Sequence, residues 1–542
     1  MGHLQQIKDT IKGVRQGSAT LAISALVLSI SIVGSVFAAV TVPVTDTAGM
    51  TPAVVGSACI VEGSATCRTV DALASAGNAT VGYTIYGGGI VDTITDRAVG
   101  NADVTGYANL FRFNGATGAL DRNFKPQFVR SGGTLESSKV TAILIDPDTN
   151  SMYVGGNFLQ VKNNPTATAV NRYAVAKFDL TTGLMDTAFD ARICTQATGT
   201  TRSGVCTVDT LAFVGNGTAK RLAIGGGFSM VRGTSQAAFV TVNPSTGAID
   251  SATNKIAIST PIFPVGIGQT PTGMKVQGIS LSADRTKMAI HGNFSRVAVN
   301  GAAAVTRQQV AIVRVDANTG VPIAMSTWNP PSLTTSTPTL ATDATNPCHN
   351  NIPHPAQIVW DPDNTRFFMI SWAGGGTGTG TPLNILCDSI TAWSTSETTS
   401  VSNVTQFYNR TYGDTILSGC YQNKALYVGG HFRSLNYKVY VNGVNRTPSY
   451  PSWTDDQGRA YSGEIHWGLG VIETDVTNTS RYGLAVATWN DTTETGKGFG
   501  WNASLCINAP ANKGGGVYFG GDSEKVNGNA AVKRLVRFPA SN

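Results

Sequence analysis

The sequence predicts an all-β fold built of seven repeated antiparallel units, on three observations. Glycine is abundant, at 61 of 542 residues, and Thr, Ser and Asn fill the stretches between short apolar runs. Helical periodicity is scarce after residue 45, whereas short alternating runs are common. One motif also recurs: "SMYVGGNF" at 151–158 reads as a buried strand that breaks into two glycines and resumes with an aromatic.

Seven approximate copies lie roughly 55 to 90 residues apart. They read "YTIYGGGI" at 83–90, "RLAIGGGF" at 221–228 and "KMAIHGNF" at 287–294, then a degenerate "FFMISWAGGG" at 367–376. "ALYVGGHF" at 425–432 and "GVYFGGDS" at 516–523 complete the set. Several copies follow an apolar strand and a turn, as in "VTAILIDPDTN" at 140–150 and "IVWDPDNT" at 358–365. Several precede a second alternating strand and a Thr-Gly turn, as in "YAVAKFDLTTGLMDTAF" at 173–189. Asn-Gly, the strongest short hairpin signal, stands at 300–301, 442–443 and 527–528.

Each unit is therefore a small meander, and one such sheet cannot bury both faces. Packing seven radially buries them, so the expected fold is a seven-bladed β-propeller of four-stranded antiparallel blades over residues 46–542. Glycine within a strand permits a bulge or a close backbone approach. Crowding between neighbouring blades accounts for that need, and the following Phe fills the gap. The last unit reaches Asn542 with three strands. Closure is expected from "TPAVVGSACIVEG" at 51–63, pairing beside Arg534–Phe538.

"YVGGNF", "LYVGGHF" and the "ARFD…TG…D..F" tail resemble the delta-60 repeat of exported bacterial β-propellers. The resemblance spans most of residues 80–540 and is clear in about five of the seven units. It implies a fold and an exported address. It implies no catalytic residues.

Residues 1–45 are a separate segment. Lys8, Lys12 and Arg15 precede an uncharged run from Gln16 to Thr45 centred on "ATLAISALVLSISIVGSVFAAV". An N-terminal hydrophobic helix is expected there. Val36-Phe37-Ala38 offers a signal-peptidase site, so a cleaved signal peptide is the first reading. The run is also long enough to span a bilayer, and a retained membrane anchor is the second. Either way the body is exported to the cell surface or the extracellular space, and the membrane is touched only through this segment.

Eight cysteines agree with an oxidising compartment, although buried free thiols are the alternative. Cys59 with Cys67, and Cys194 with Cys206, each close a short Gly/Thr-rich loop. Cys348 with Cys387 and Cys420 with Cys506 follow by elimination. No Cys-x-x-Cys pair is present, which argues against structural zinc.

Little in the sequence points to chemistry. The net charge of +6 is spread out, with no basic run interleaved with aromatics, so no nucleic-acid partner is expected. His291 and His431 replace Gly or Asn within the repeat and read as packing variants. His349 and His354 lack a third ligand for a metal. Asp146, Asp148, Asp361 and Asp363 read as turn residues. No catalytic residue, metal or cofactor is assigned.

The segment from Phe432 to Gly483 departs from the repeat and is rich in aromatics. Tyr437, Tyr440, Tyr450, Trp453, Tyr461, His466 and Trp467 form either a ligand-binding surface or a self-packed flap. The expected function is a binding, adhesion or structural module without catalysis, with a glycan or a surface protein as partner. The alternatives are a carbohydrate-active hydrolase or lyase with acids gathered at a central channel, and a subunit of a surface assembly held by the N-terminal helix.

Overall fold

The computed structural model describes residues 51, 53–54, 68–130, 138–194, 206–262, 273–330, 354–372, 388–396, 405–411, 415–450, 452–454, 460–461, 463–486, 500–523, 526 and 534–541. The expected N-terminal helix lies outside them. Among these residues the fold is all-β, broken only by short 3-10 turns at Gly217–Ala219 and Ala511–Lys513. No helix among them is long and apolar enough to cross a membrane.

The repeat units form seven antiparallel sheets among the described residues, with the glycine motif in the second strand of each but the fifth, whose second strand ends in Ser371-Trp372. Sheet 1 joins Thr69–Asn78, Gly82–Ile90 and Leu110–Asn114. Sheet 2 joins Val140–Asp146, Ser151–Gly156 and Val175–Asp179, and sheet 3 joins Thr207–Val214, Arg221–Gly227 and Phe239–Val242. Sheet 4 joins Lys275–Leu281, Lys287–Asn293, Val310–Val315 and Pro322–Met325. Sheet 5 begins His354–Trp360, Arg366–Trp372, Ser389–Ser394 and Thr405–Arg410. Sheet 6 joins Ile416–Gln422, Ala425–Gly430 and Leu469–Glu473. Sheet 7 joins Trp501–Ile507, Gly516–Gly521 and Leu535–Pro539.

A full fourth strand is present in sheet 4, and sheet 5 continues through its fourth strand into Lys438–Val441 and Val444–Asn445. In sheets 1, 2, 3 and 6 the expected fourth strand shrinks to one bridge: Phe113 with Leu120, Phe178 with Met185, Val242 with Ile249, Ile472 with Ala485. In sheets 1, 2 and 3 a tight Thr-Gly turn precedes the bridge, and an Asn or Asp side chain at its start holds its amides, as Asn114 Oδ1 accepts from Ala116 and Thr117 N–H.

The two glycines have separate duties. In all seven sheets the first strand carries a β-bulge opposite the motif, at Asp71, Thr141, Asp209, Gln277, Ala356, Leu417 and Asn502. A side chain on the second glycine (Gly89, Gly156, Gly226, Gly430 or Gly521) would collide with the backbone carbonyl before that bulge. The first glycine faces the next sheet instead. A Cβ on Gly155 would stand 2.6 Å from Val208 Cγ1 of sheet 3, and one on Gly225 2.5 Å from Val276 Cγ1 of sheet 4. A Cβ on Gly520 of sheet 7 would stand 2.6 Å from Val70 Cγ1 of sheet 1. The terminal Phe packs the opposite way. Phe158 sits with Phe128 and Leu110 between sheets 1 and 2, and Phe228 with Tyr153 and Ala142 between sheets 2 and 3.

The core is thus divided among the seams between consecutive sheets. Sheets 7 and 1 share one such cluster, with Ile507, Tyr518 and Leu535 against Val70, Ile85 and Phe113. Hydrogen bonds cross the seams as well. Thr141 Oγ1 donates to the Val208 carbonyl at 2.5 Å, and Gly419 N–H to Gln357 Oε1 at 2.8 Å. Ser418 Oγ donates to the Trp501 carbonyl at 2.9 Å, and Asn502 Nδ2 to Asp71 Oδ1 at 3.0 Å.

The N-terminal strand takes a different partner from the one expected. Ala53–Val54 pairs with the hairpin strand Thr93–Asp96, not beside Arg534–Phe538. The Thr51 side chain nevertheless reaches sheet 7, donating to the Leu535 carbonyl at 3.0 Å. The reason is repeated along the chain: a segment before one unit pairs with the hairpin inside that unit. Gln127–Val129 pairs with Gln160–Lys162, and Ile256–Ser259 with Arg296–Val299. Ala53–Val54 occupies the equivalent place for the first unit. Residues 55–63 lie outside the described residues.

Candidate functional site

The bulge residues build the candidate site. A bulge re-aims the extra side chain, and here all seven bulged residues line one cavity of about 300 Å³. Polar groups predominate along it: Asp71, Thr141, Asp209, Gln277 and Asn502, with Ala356 and Leu417 completing the set. Leu73, Ile143, Leu211, Ile279 and Ile358, further along the same strands, give it an apolar wall.

Both carboxylates are held by a lysine of the next sheet. Lys139 Nζ stands 3.2 Å from Asp71 Oδ2, and Lys275 Nζ 2.9 Å from Asp209 Oδ1. A Thr two residues earlier donates to each, from Thr69 Oγ1 at 3.2 Å and Thr207 Oγ1 at 3.0 Å. The charges on this wall therefore cancel in pairs.

His291 also lines the cavity, although it belongs to a second strand. It stands where Gly155 and Gly225 stand in their sheets, and the residue opposite it is Gly278. A side chain at Gly278 would collide with the imidazole, so the two positions exchange sizes and the ring reaches over the first strand. His291 is 3% exposed, and burial depresses its pKa to about 4 against a weaker opposing hydrogen bond with the Pro355 backbone. His354, stacked on Trp372 at 4.2 Å, is likewise lowered to about 4 by burial.

The sign of the pH dependence follows. An unfolded histidine takes up a proton near pH 6.5, whereas the folded groups resist until about pH 4. Their contribution is complete above about pH 6.5 and is lost as the pH falls toward about 4. Thermal unfolding followed by circular dichroism is expected to show a midpoint that drops across this window, less steeply in His291→Asn. An unchanged slope in that variant would contradict the assignment.

The aromatic insertion is largely packed on itself and on sheet 5. Tyr440 stacks on Tyr408 at 5.0 Å, Trp453 meets Trp467 edge-on at 5.6 Å, and Arg433 lies over the Trp467 ring. Lys438 lies over Tyr437. Tyr450 donates to Glu464 Oε2 at 2.8 Å, Asn436 Nδ2 to the same oxygen at 2.7 Å, and the fully buried His466 stands 3.9 Å away. Burial alone would raise the Glu464 pKa, but His466, Tyr450 and Asn436 together hold it below the usual value. Tyr461 pairs its backbone with Trp453. These contacts tie the described residues of the insertion to one another and to sheet 5.

The Asp-Pro-Asp turns also anchor cations. Asp146 Oδ1 accepts from Asp148 N–H at 3.2 Å and from Lys220 Nζ at 2.7 Å, and Asp361 Oδ2 accepts from Arg366 Nε at 2.6 Å. No group of three His, Cys, Asp or Glu able to hold a metal occurs among the described residues, and His349 lies outside them.

Among the described residues two disulfides are present, Cys194–Cys206 and Cys420–Cys506, as an oxidising environment favours. Cys420–Cys506 joins the first strands of sheets 6 and 7. Cys59, Cys67, Cys348 and Cys387 lie outside the described residues. Comparison with known proteins brings no relative: no protein-family model matches the chain, and no curated protein is similar to it.

Proposed function

We propose that the chain is an exported seven-bladed β-propeller of the delta-60 repeat type, acting at the cell surface as a non-catalytic binding module. The observation that carries the reading is the cavity lined by one bulge residue from each of seven sheets, with both of its carboxylates ion-paired to lysine. Contacts from sheet 7 back to sheet 1, through Gly520 with Val70 and Asn502 with Asp71, support a closed ring of blades. A carboxylate whose oxygen is held by a lysine is poorly placed to act as a general acid or nucleophile, because that oxygen is already engaged. The two disulfides support the exported address.

The experiment is to incubate the protein with an array of cell-surface polysaccharides and to measure both retention and release of reducing ends. Retention without new reducing ends is expected. Reducing-end release that disappears in Asp71→Asn or Asp209→Asn would instead establish the glycosidase alternative.

A further inference from the structure

We infer that the seven-strand cavity binds a small neutral polyhydroxylated molecule, a free sugar or a single residue of a glycan. The inference rests on the binding-module reading and names the chemistry of its ligand.

Three observations select that class. First, buried polar groups ordinarily have hydrogen-bond partners. Three side-chain atoms of the lining residues have none within the protein: Nδ1 of His291, Oγ of Ser504 and Oδ2 of Asp71, the last ion-paired with Lys139 at 3.2 Å. His291 is 3% exposed and is one of the residues lining the cavity. Second, His291 and Ser504 are uncharged, since burial keeps His291 neutral at physiological pH. The charged groups of the wall are already matched, Asp71 by Lys139 and Asp209 by Lys275. A charged ligand would be desolvated without an unmatched countercharge. Hydroxyl groups can both donate and accept, which suits a wall of mixed amide, hydroxyl and imidazole groups. Third, the apolar residues Ile143 and Ile279 stand in the same lining, where the C–H face of a ring would rest. A volume of about 300 Å³ is at the lower end for ligand pockets, which limits the ligand to something small.

The exchange of sizes between His291 and Gly278 is central to the inference. Where the motif has glycine, the second strand is hidden behind the first. Removing the side chain at 278 is what brings His291 into the cavity wall.

The test is saturation-transfer NMR on the whole protein. The probes are glucose, galactose, mannose and N-acetylglucosamine, with glucuronate and glucosamine as charged relatives. Transfer to at least one neutral sugar is expected. Ser504→Ala and Gln277→Leu should each weaken it by about tenfold, as loss of one hydrogen bond to the ligand would. Both should keep the thermal midpoint of the parent, which separates lost binding from lost folding. No transfer to any neutral sugar at millimolar concentration would overturn the inference. So would transfer equal in the parent and both variants, or stronger transfer to the charged sugars. Retention of polysaccharide without monosaccharide transfer would sink this inference and leave the binding module standing. Glycoside turnover with intact transfer would do the reverse.

Discussion

Replacing Cys420 and Cys506 together by serine is expected to cost about 4–5 kcal/mol of stability. The bond closes a loop of 86 residues, and the conformational freedom it removes from the unfolded chain grows with the logarithm of that length. It also sits at a seam. Cys420 and Cys506 lie in the first strands of sheets 6 and 7, beside the Ser418 hydroxyl bonded to the Trp501 carbonyl. Its loss would let the seam open locally. Cys194–Cys206 spans only 12 residues, so the corresponding double serine variant should cost about 3 kcal/mol. Urea unfolding of the two variants measures both. Equal costs, or a greater loss from the shorter loop, would contradict the account.

Arg366→Met is expected to cost about 3–5 kcal/mol. Arg366 and Asp361 have side chains only 7% and 2% exposed, with Nε to Oδ2 at 2.6 Å. The guanidinium also donates to Tyr482 Oη at 3.0 Å and to the Thr474 carbonyl at 2.6 Å. It therefore ties the second strand of sheet 5 to the chain leaving sheet 6. Burial works against its charge, but the interactions with Tyr482 and Asp361 outweigh that, and the Arg366 pKa is raised. Methionine fills much of the volume but leaves Asp361 as a buried charge without its partner. The double variant Arg366→Met with Asp361→Asn removes that charge and should recover part of the loss. Thermal or urea unfolding of single and double variants decides this. A single variant within about 0.5 kcal/mol of the parent would contradict it.

The glycine motif and its flanking turns made the strands legible in the sequence, because alternation and turn chemistry are local. The split between the two glycines was less so. That Gly155 leaves room for Val208 depends on a neighbour more than 50 residues away, and that Gly156 leaves room for the Lys139 carbonyl depends on a bulge that the alternation of residues does not reveal. The cavity residues were missed for the same reason. Asp71 and Asp209 look like ordinary strand carboxylates until the bulge aims both at one space. His291 was read as a packing variant, and a signal was available there. Aligning "GISL" and "HGNF" with "AILI" and "GGNF" puts Gly278 opposite His291, an exchange of sizes across one pair. The insertion aromatics were legible by composition. Their stacking on Tyr408 and on one another was not, since nothing local distinguishes an exposed Tyr from a stacked one. The described part of the expected closing strand, Ala53–Val54, pairs with the hairpin at 93–96, a choice of partner that its own short apolar sequence does not encode.

The central claim is that the seventh sheet lies against the first. Asn502 and Asp71 are 431 residues apart in sequence and 3.0 Å apart at their side chains. The most direct test places cysteines at both positions, links them with a short bifunctional maleimide at high dilution, and identifies the product by peptide mass spectrometry. The account predicts an intramolecular 71–502 link in monomeric protein. Links formed only between separate molecules, or none at all, would contradict it.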